Sequence, residues 1–224
     1  MPEREEDTLE HGPEHVALIT GANRGIGFEV ARRLARLGMT VILGARDLDK
    51  GRAAARPLVA DGLQVLPRQL DVADGRSVER LAAELDAEFG RLDVLVNNAA
   101  ILYDDWQRAT DADLDLVRQA FETNTLGAWR TCRVLLPLLR RSAHGRIVNV
   151  SSESGSLAGM TGGTPAYSVS KAALNALTRL LGSTSALMPR PGERDLQGAG
   201  NSERPAWATV GPKSGDAGSP DGWR

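Results

Sequence analysis

The feature that most constrains this chain is an alternation of two hydrophobic periods. Short apolar runs at 15–20, 40–46, 64–72, 92–100 and 145–152 read as strands. Between and after them, at 21–38, 47–61, 77–90, 111–142 and 168–182, apolar residues recur at helical spacing. Strand and helix in strict succession predict an α/β fold: one domain with a doubly wound parallel sheet and helices on both faces. Ile26, Val30, Leu34 and Leu37 mark the inward side of the first helix, which Gly38 ends. Ser77 opens the third helix. Pro57 limits the second helix, and Pro67 confines its strand to an edge or a bulge.

Composition narrows the class. The chain has 224 residues, enough for one such domain, and a net charge of −2. That charge gives no footing for nucleic acid or an anionic membrane surface. Cys132 is the only cysteine, which excludes an intrachain disulfide and fits a reducing, cytoplasmic setting. Its helical context makes it a core residue rather than a nucleophile. No apolar run reaches the length of a membrane span, and no His/Cys cluster points to a metal. Residues 1–14 are polar and acidic and read as a flexible arm before a domain at 15–182. From 183 to 224, twelve residues are Gly or Pro and only six are large and apolar, the composition of a disordered tail.

In open parallel sheets, ligands bind beyond the carboxyl ends of the strands. Gly21, Asp71, Asn97 and Ser152 each stand at or just past such an end. The first exit, TGANRGIG, sets Gly21, Gly25 and Gly27 between a strand and a helix. Glycine lets backbone approach a pyrophosphate, and the helix N-terminus behind it favours an anion. The second strand ends in Ala45 and Arg46, where an acid would hold the ribose hydroxyls of NAD. Arg46, with Arg24 in the loop, suits a phosphate instead, so the expected cofactor is NADP(H) in preference to NAD(H). The neighbouring Asp47 argues the other way.

Taken in order, TGANRGIG, Asp71-Val72, Asn97-Asn98-Ala99, Asn124, Ser152 and Tyr167-x-x-x-Lys171 resemble the short-chain dehydrogenase/reductase family from about His15 to Leu181. The two arginines and GRIVNVSS look like its NADPH-dependent carbonyl reductase branch. The resemblance implies a Rossmann-type sheet and a set of roles. Asn23, Arg24 and Ile26 would join the three glycines around the cofactor, and Asp71 and Val72 would flank the adenine. Asn97 and Ala99 would support the middle of the cofactor and the central sheet. Asn124 would hold a helix kink and a relay water. Tyr167, Lys171 and Ser152 would be catalytic, with Tyr167 and Lys171 also touching the cofactor. Ser152 is preferred to Ser151 and Ser154 because Gly155 completes Ser-x-x-Gly. The family's usual Asn-Asn-Ala-Gly reads Ala100 at its last position, a change expected to crowd the turn.

The side chains give this constellation a chemistry of its own. Tyr167 and Lys171 stand four apart on one helix and share a face. A phenol titrates near ~10 unaided, and a nearby ammonium favours the phenolate. Such a pair can pass a proton to a carbonyl oxygen while a nicotinamide supplies hydride to the carbon. Ser152 can stabilise charge on that oxygen. The expected partner is a small-molecule carbonyl or alcohol, and the glycine-rich stretch Ser156–Thr164 is expected to border it. The family's later strands are not visible after Gly182, and Pro191-Gly192 has no strand before it. That leaves the fifth strand as a sheet edge and leaves room for a homo-oligomer only in weakened form. The rival reading is a catalytically impaired relative that acts as a nucleotide-binding or partner subunit.

Overall fold

A computed structural model describes residues 15–183. Five parallel strands form one sheet: β1 (Val16–Thr20), β2 (Thr40–Ala45), β3 (Val65–Gln69), β4 (Val94–Asn97) and β5 (Arg146–Asn149). Their order across the sheet is β3-β2-β1-β4-β5. The reversal of direction lies at β1, which pairs with both β2 and β4. Six α-helices connect or follow the strands: α1 (Gly25–Arg36), α2 (Leu48–Ala60), α3 (Gly75–Phe89), α4 (Leu114–Ala120), α5 (Ala128–Arg140) and α6 (Pro165–Ser183).

The sheet is sandwiched, so its central strands are buried on both sides and read as continuous apolar runs. Along β1, Val16 and Leu18 face one core layer, with Leu81 and Leu85 of α3 and Leu135 and Leu139 of α5. Ala17 and Ile19 face the opposite layer, with Ala31 and Ala35 of α1 and Ala55 and Leu58 of α2. A smaller cluster joins Leu174 and Leu177 of α6 to Ala128.

Several local expectations are revised. The buried face of α1 is Gly27, Ala31 and Ala35, whereas Ile26 and Leu37 are 66% and 72% exposed. Small side chains let the helix approach the sheet closely, and Val30 and Leu34 pack at its flank. The third helix opens two residues earlier than Ser77, with Asp74 as its cap. The Ser77 hydroxyl is buried beneath it and accepts from the Asp71 N–H at 2.9 Å. α2 runs through Pro57, which gives up one i−4 bond three residues before the helix ends. α6 begins at Pro165 rather than 168, since proline suits a first helical turn. Pro67 lies on β3, an edge strand. The expected arm at 1–14, the tail from residue 184 onward and Pro191-Gly192 lie outside the described residues.

Candidate active site

The glycine loop leaves β1 at the sheet's carboxyl edge. Gly21 and Gly25 turn there with φ of 63° and 59°. At Gly27 a side chain is excluded by contact: a Cβ would lie 2.3 Å from Asn98 Nδ2. That amide donates to the carbonyls of Thr20 at 2.9 Å and Gly21 at 3.1 Å. Thr20 Oγ1 accepts in return from the N–H groups of Asn98 and Ala99. Loop and β4 exit are thus stitched together. Arg24 occupies the N-cap position of α1 and makes no capping bond. The first amides of α1 are therefore available to an anion, and the glycine-lined turn fits a pyrophosphate. Asn23 is half-buried, and Arg24 and Ile26 are exposed beside the loop.

At the far end of this cradle Arg46 is exposed. Asp47 points elsewhere. Its carboxylate accepts from the N–H groups of Asp49 and Lys50 as the cap of α2. The Lys50 amide and ammonium hold it below the ordinary carboxylate value. Asp71 Oδ1 accepts from the Ala73 N–H at 3.0 Å. The Val72 carbonyl accepts from Arg130 at 2.5 Å, and Arg130 also pairs with Glu122 at 2.6 Å.

Asn97 is buried in the sheet. Its Nδ2 donates to Asn149 Oδ1 at 2.8 Å and Cys132 Sγ at 3.2 Å, and its Oδ1 accepts from Thr131 at 2.6 Å. Cys132 is 2% exposed, and burial pushes its thiol up to about 12. Ala99 closes over Gly21, with its Cα 2.9 Å from where a Gly21 Cβ would stand. The expected crowding at Ala100 is corrected. Ala100 is exposed, and Thr164 is the one non-glycine residue with positive φ among the described residues.

A π-helical turn, Phe121–Gly127, separates α4 from α5 and contains Asn124. Asn124 is 1% exposed. It accepts from the Ile101 N–H at 2.8 Å, and donates to the Ile101 carbonyl at 3.0 Å and to Ser170 Oγ at 2.9 Å. The π turn, the loop after β4 and α6 therefore meet at one amide.

On α6, Lys171 Nζ lies 5.7 Å from the centre of the Tyr167 ring and donates to the Val150 carbonyl at 2.7 Å. Burial pushes the Lys171 ammonium down from 10.5 to about 8. Ser152 follows two residues after Val150, and its Oγ accepts from the Ser154 N–H at 3.3 Å. The short 3-10 turn Glu153–Gly155 rests on α6. A Cβ at Gly155 would stand 2.8 Å from the Lys171 carbonyl carbon, so only glycine permits this contact. Asn175 Nδ2 donates to the Gly155 carbonyl at 3.1 Å. Gly155 thereby docks the turn that follows Ser152 onto α6 at Lys171. The 156–164 loop borders this region, with Gly163 bridged to Arg108.

Some contributors have no signature in the sequence. Thr20 and Asn98 were legible in principle, since they lie inside the glycine and Asn-Asn-Ala motifs. Arg130 and Asp104 lie in no motif; tertiary packing alone brings Arg130 to Val72 and Asp104 to the start of α6.

A glycine turn on the first strand of a sheet ordered β3-β2-β1-β4-β5, with a Tyr/Lys helix beyond β5, defines a Rossmann-type dinucleotide-binding domain. The chain belongs to the short chain dehydrogenase family, whose model matches residues 15–187. It is similar to carbonyl reductase [NADPH] 1 of Sus scrofa, 44% identical over 142 residues, covering 62% of this chain and 47% of that protein. It is also similar to (+)-neomenthol dehydrogenase of Arabidopsis thaliana, 38% identical over 161 residues, covering 63% and 54%. The chain thus spans about half the length of the curated relatives it matches. Among solved structures, a short-chain dehydrogenase from Streptomyces avermitilis aligns with TM-score 0.71 and 35% identity, over 79% of this chain and 62% of that one. An alcohol dehydrogenase of the archaeon Thermococcus sibiricus, complexed with 5-hydroxy-NADP, aligns with TM-score 0.71 and 33% identity, over 79% and 72%.

Proposed function

We propose that this chain is an NADP(H)-dependent oxidoreductase that interconverts a small-molecule carbonyl and its alcohol, with Tyr167 as general acid and base. The observation that carries the reading is the Tyr167/Lys171 pair. A desolvated amine lies 5.7 Å from a phenol ring, beside the exit of β5. When bound, the nicotinamide supplies hydride to the carbonyl carbon. Tyr167 gives its phenolic proton to the substrate oxygen in reduction and takes it back in oxidation. The Lys171 ammonium stabilises the phenolate left behind. Ser152 Oγ accepts from the backbone, so its own hydrogen is available to the substrate oxygen as negative charge grows there. Asn124 holds the π turn against α6 and would hold the water of a proton relay.

The pyrophosphate rests on Gly21, Asn23, Gly25, Ile26 and Gly27 at the start of α1. Asp71 and Val72 flank the adenine, and Ala99 backs the cofactor's middle. Arg24 and Arg46 take a ribose phosphate, and the commitment of Asp47 to capping α2 removes the acid that would favour NAD. The names of the relatives, a carbonyl reductase [NADPH] and a neomenthol dehydrogenase, support the same cofactor and reaction class. A single cysteine, Cys132, fits a cytoplasmic setting.

The test is thermal unfolding of the full chain with NADPH and with NADH, followed by NADPH consumption on a panel of ketones, aldehydes and quinones. NADPH is expected to raise the midpoint more than NADH, and Tyr167→Phe to keep that shift while abolishing turnover. No shift with either nucleotide overturns the reading. A shift without turnover reduces the chain to a nucleotide-binding subunit.

A further inference from the structure

The helix that carries Tyr167 is not capped by its own sequence. Thr164 stands at its N-cap position, where its carbonyl accepts from the Ser168 N–H at 2.8 Å. An N-cap side chain normally accepts from the second and third helical amides. Thr164 instead adopts φ of 49° and spends its hydroxyl on Ser168 Oγ at 3.2 Å. That left-handed backbone is unfavourable for a β-branched residue. The amides it leaves, those of Ala166 and Tyr167, are taken by Asp104 Oδ2 at 2.6 and 3.4 Å, from 62 and 63 residues away.

Asp104 is 1% exposed, a burial a carboxylate tolerates only when it is well hydrogen-bonded. A helix N-terminus supplies both N–H donors and favourable partial charge. The loop that presents Asp104 is itself fixed. Asn124 grips it at Ile101 through both N–H and C=O, and Arg108 bridges to Gly163 just before the helix. The carboxylate therefore stands between two anchors, one on the π turn and one on the segment that leads into α6.

We infer that Asp104 is a positioning residue for Tyr167: a cap supplied from the loop after β4 that sets the height and tilt of the turn from which the phenol projects. This rests on the proposed role of Tyr167 as general acid. Strain at Thr164 fits it, since a left-handed residue there swings the chain away and leaves the two amides open to an outside acceptor.

The experiment uses the full chain with Asp104→Ala and Asp104→Asn. The first readout is amide hydrogen exchange, which needs no activity. Asp104→Ala should speed exchange at Ala166 and Tyr167 at least tenfold while β1 and α3 keep their protection. Asp104→Asn, which retains a carbonyl acceptor, should restore most of it. The second readout is kinetic. kcat for carbonyl reduction should fall at least tenfold in Asp104→Ala, with KM and NADPH affinity within threefold of the parent, and Asn should rescue it. If Asp104→Ala does not fold, Asp104→Ser, which keeps a shorter hydroxyl acceptor near the two amides, should show both losses in smaller measure. Unchanged exchange at the two amides overturns the inference. So does a kcat loss matched by an equal loss of NADPH affinity, because that is general destabilisation. If the parent chain turns over no carbonyl, the proposed function fails, while the exchange readout still decides whether Asp104 caps the helix.

Discussion

Lys171 Nζ is tied to the Val150 carbonyl at 2.7 Å, so the amine proposed to serve Tyr167 also pins α6 to the end of β5. Lys171 is 2% exposed, and burial brings its pKa from 10.5 to about 8. Its charged form is therefore a burden on the fold at neutral pH. Because the folded value lies below the unfolded one, the group's favourable contribution is complete above pH 10.5 and is lost as pH falls through about 8. Lys171→Met should be more stable than the parent at pH 7 by about 1–2 kcal/mol, after allowing about 1 kcal/mol for the lost bond to Val150. The advantage should vanish above pH 10.5. Turnover should fall at least about a hundredfold. Unfolding curves at both pH values check the first two statements, and steady-state assays the third.

Gly155 tests how tightly the site is registered. A methyl group there meets the Lys171 carbonyl carbon at 2.8 Å and its Cβ at 2.9 Å. Both belong to α6, so the helix or the 3-10 turn must move. Gly155→Ala should cost about 1–3 kcal/mol of stability. It should lower kcat more than it changes NADPH affinity, since the nucleotide cradle lies on β1 and α1. Denaturant midpoints and a kcat/KM comparison give both values.

The parallel sheet was legible because buried strands and amphipathic helices differ in period, and because glycine and polar residues recur where the strands end. Pro67, which required an edge or a bulge, lies on the edge strand β3. The misreading of α1 has a geometric cause. Hydrophobicity alone assigned Ile26 and Leu37 inward, but contact distance decides which face of α1 packs, and Ala31 and Ala35 let the backbone come nearer than larger residues would. At the site, Tyr167, Lys171 and the glycines were visible because local spacing places them. Asp104 and Arg130 were not, because each acts on a backbone group at least 58 residues away, and no local period records such a contact.

The Asn124 side chain bonds three protein groups on two segments, the loop after β4 and α6. Asn124→Ala would leave the N–H and carbonyl of Ile101 and the Ser170 hydroxyl without their partner in a buried setting. The expected loss is about 2–4 kcal/mol, from two or more unmet polar groups. Amide exchange should show it first at Ile101 and in the π turn. Equal protection in the variant and the parent would mean that the turn is held by its neighbours instead.

In the proposed reading, the cofactor preference depends on Arg46 and Arg24 with Asp47 committed to capping α2. Arg46→Ala should weaken NADPH binding by about 10-fold or more, the worth of one charge-assisted phosphate contact, and leave NADH unchanged. Asp47→Ala should reduce stability by about 1 kcal/mol through the lost cap of α2 and should not alter the NADPH-to-NADH ratio. Titration calorimetry with both nucleotides separates the two effects. An unchanged ratio in Arg46→Ala would remove Arg46 from the phosphate site.

Asp93 governs acid stability from the opposite edge of the sheet. It precedes β4, and its carboxylate accepts from the Val16 N–H at 2.7 Å and from Ser142 Oγ at 2.5 Å, with Arg91 Nε at 3.4 Å. Burial raises its pKa, but the bonds from Ser142 and Val16 and the Arg91 charge outweigh burial and hold it below the ordinary 3.8. A depressed carboxylate contributes stability that is complete above its unfolded value and is lost as pH falls through the folded one. Asp93→Asn should therefore cost about 1–3 kcal/mol at pH 7, since it removes a charged acceptor from three donors. The gap to the parent should narrow as pH falls below 3.8, where the parent carboxyl also becomes neutral. NADPH affinity at neutral pH should not change, because Asp93 stands at the amino ends of β1 and β4 and the cradle at their carboxyl ends. Urea midpoints across this pH range, with nucleotide binding at pH 7, test both halves; a gap that stays constant with pH would assign Asp93 a packing role rather than an ionic one.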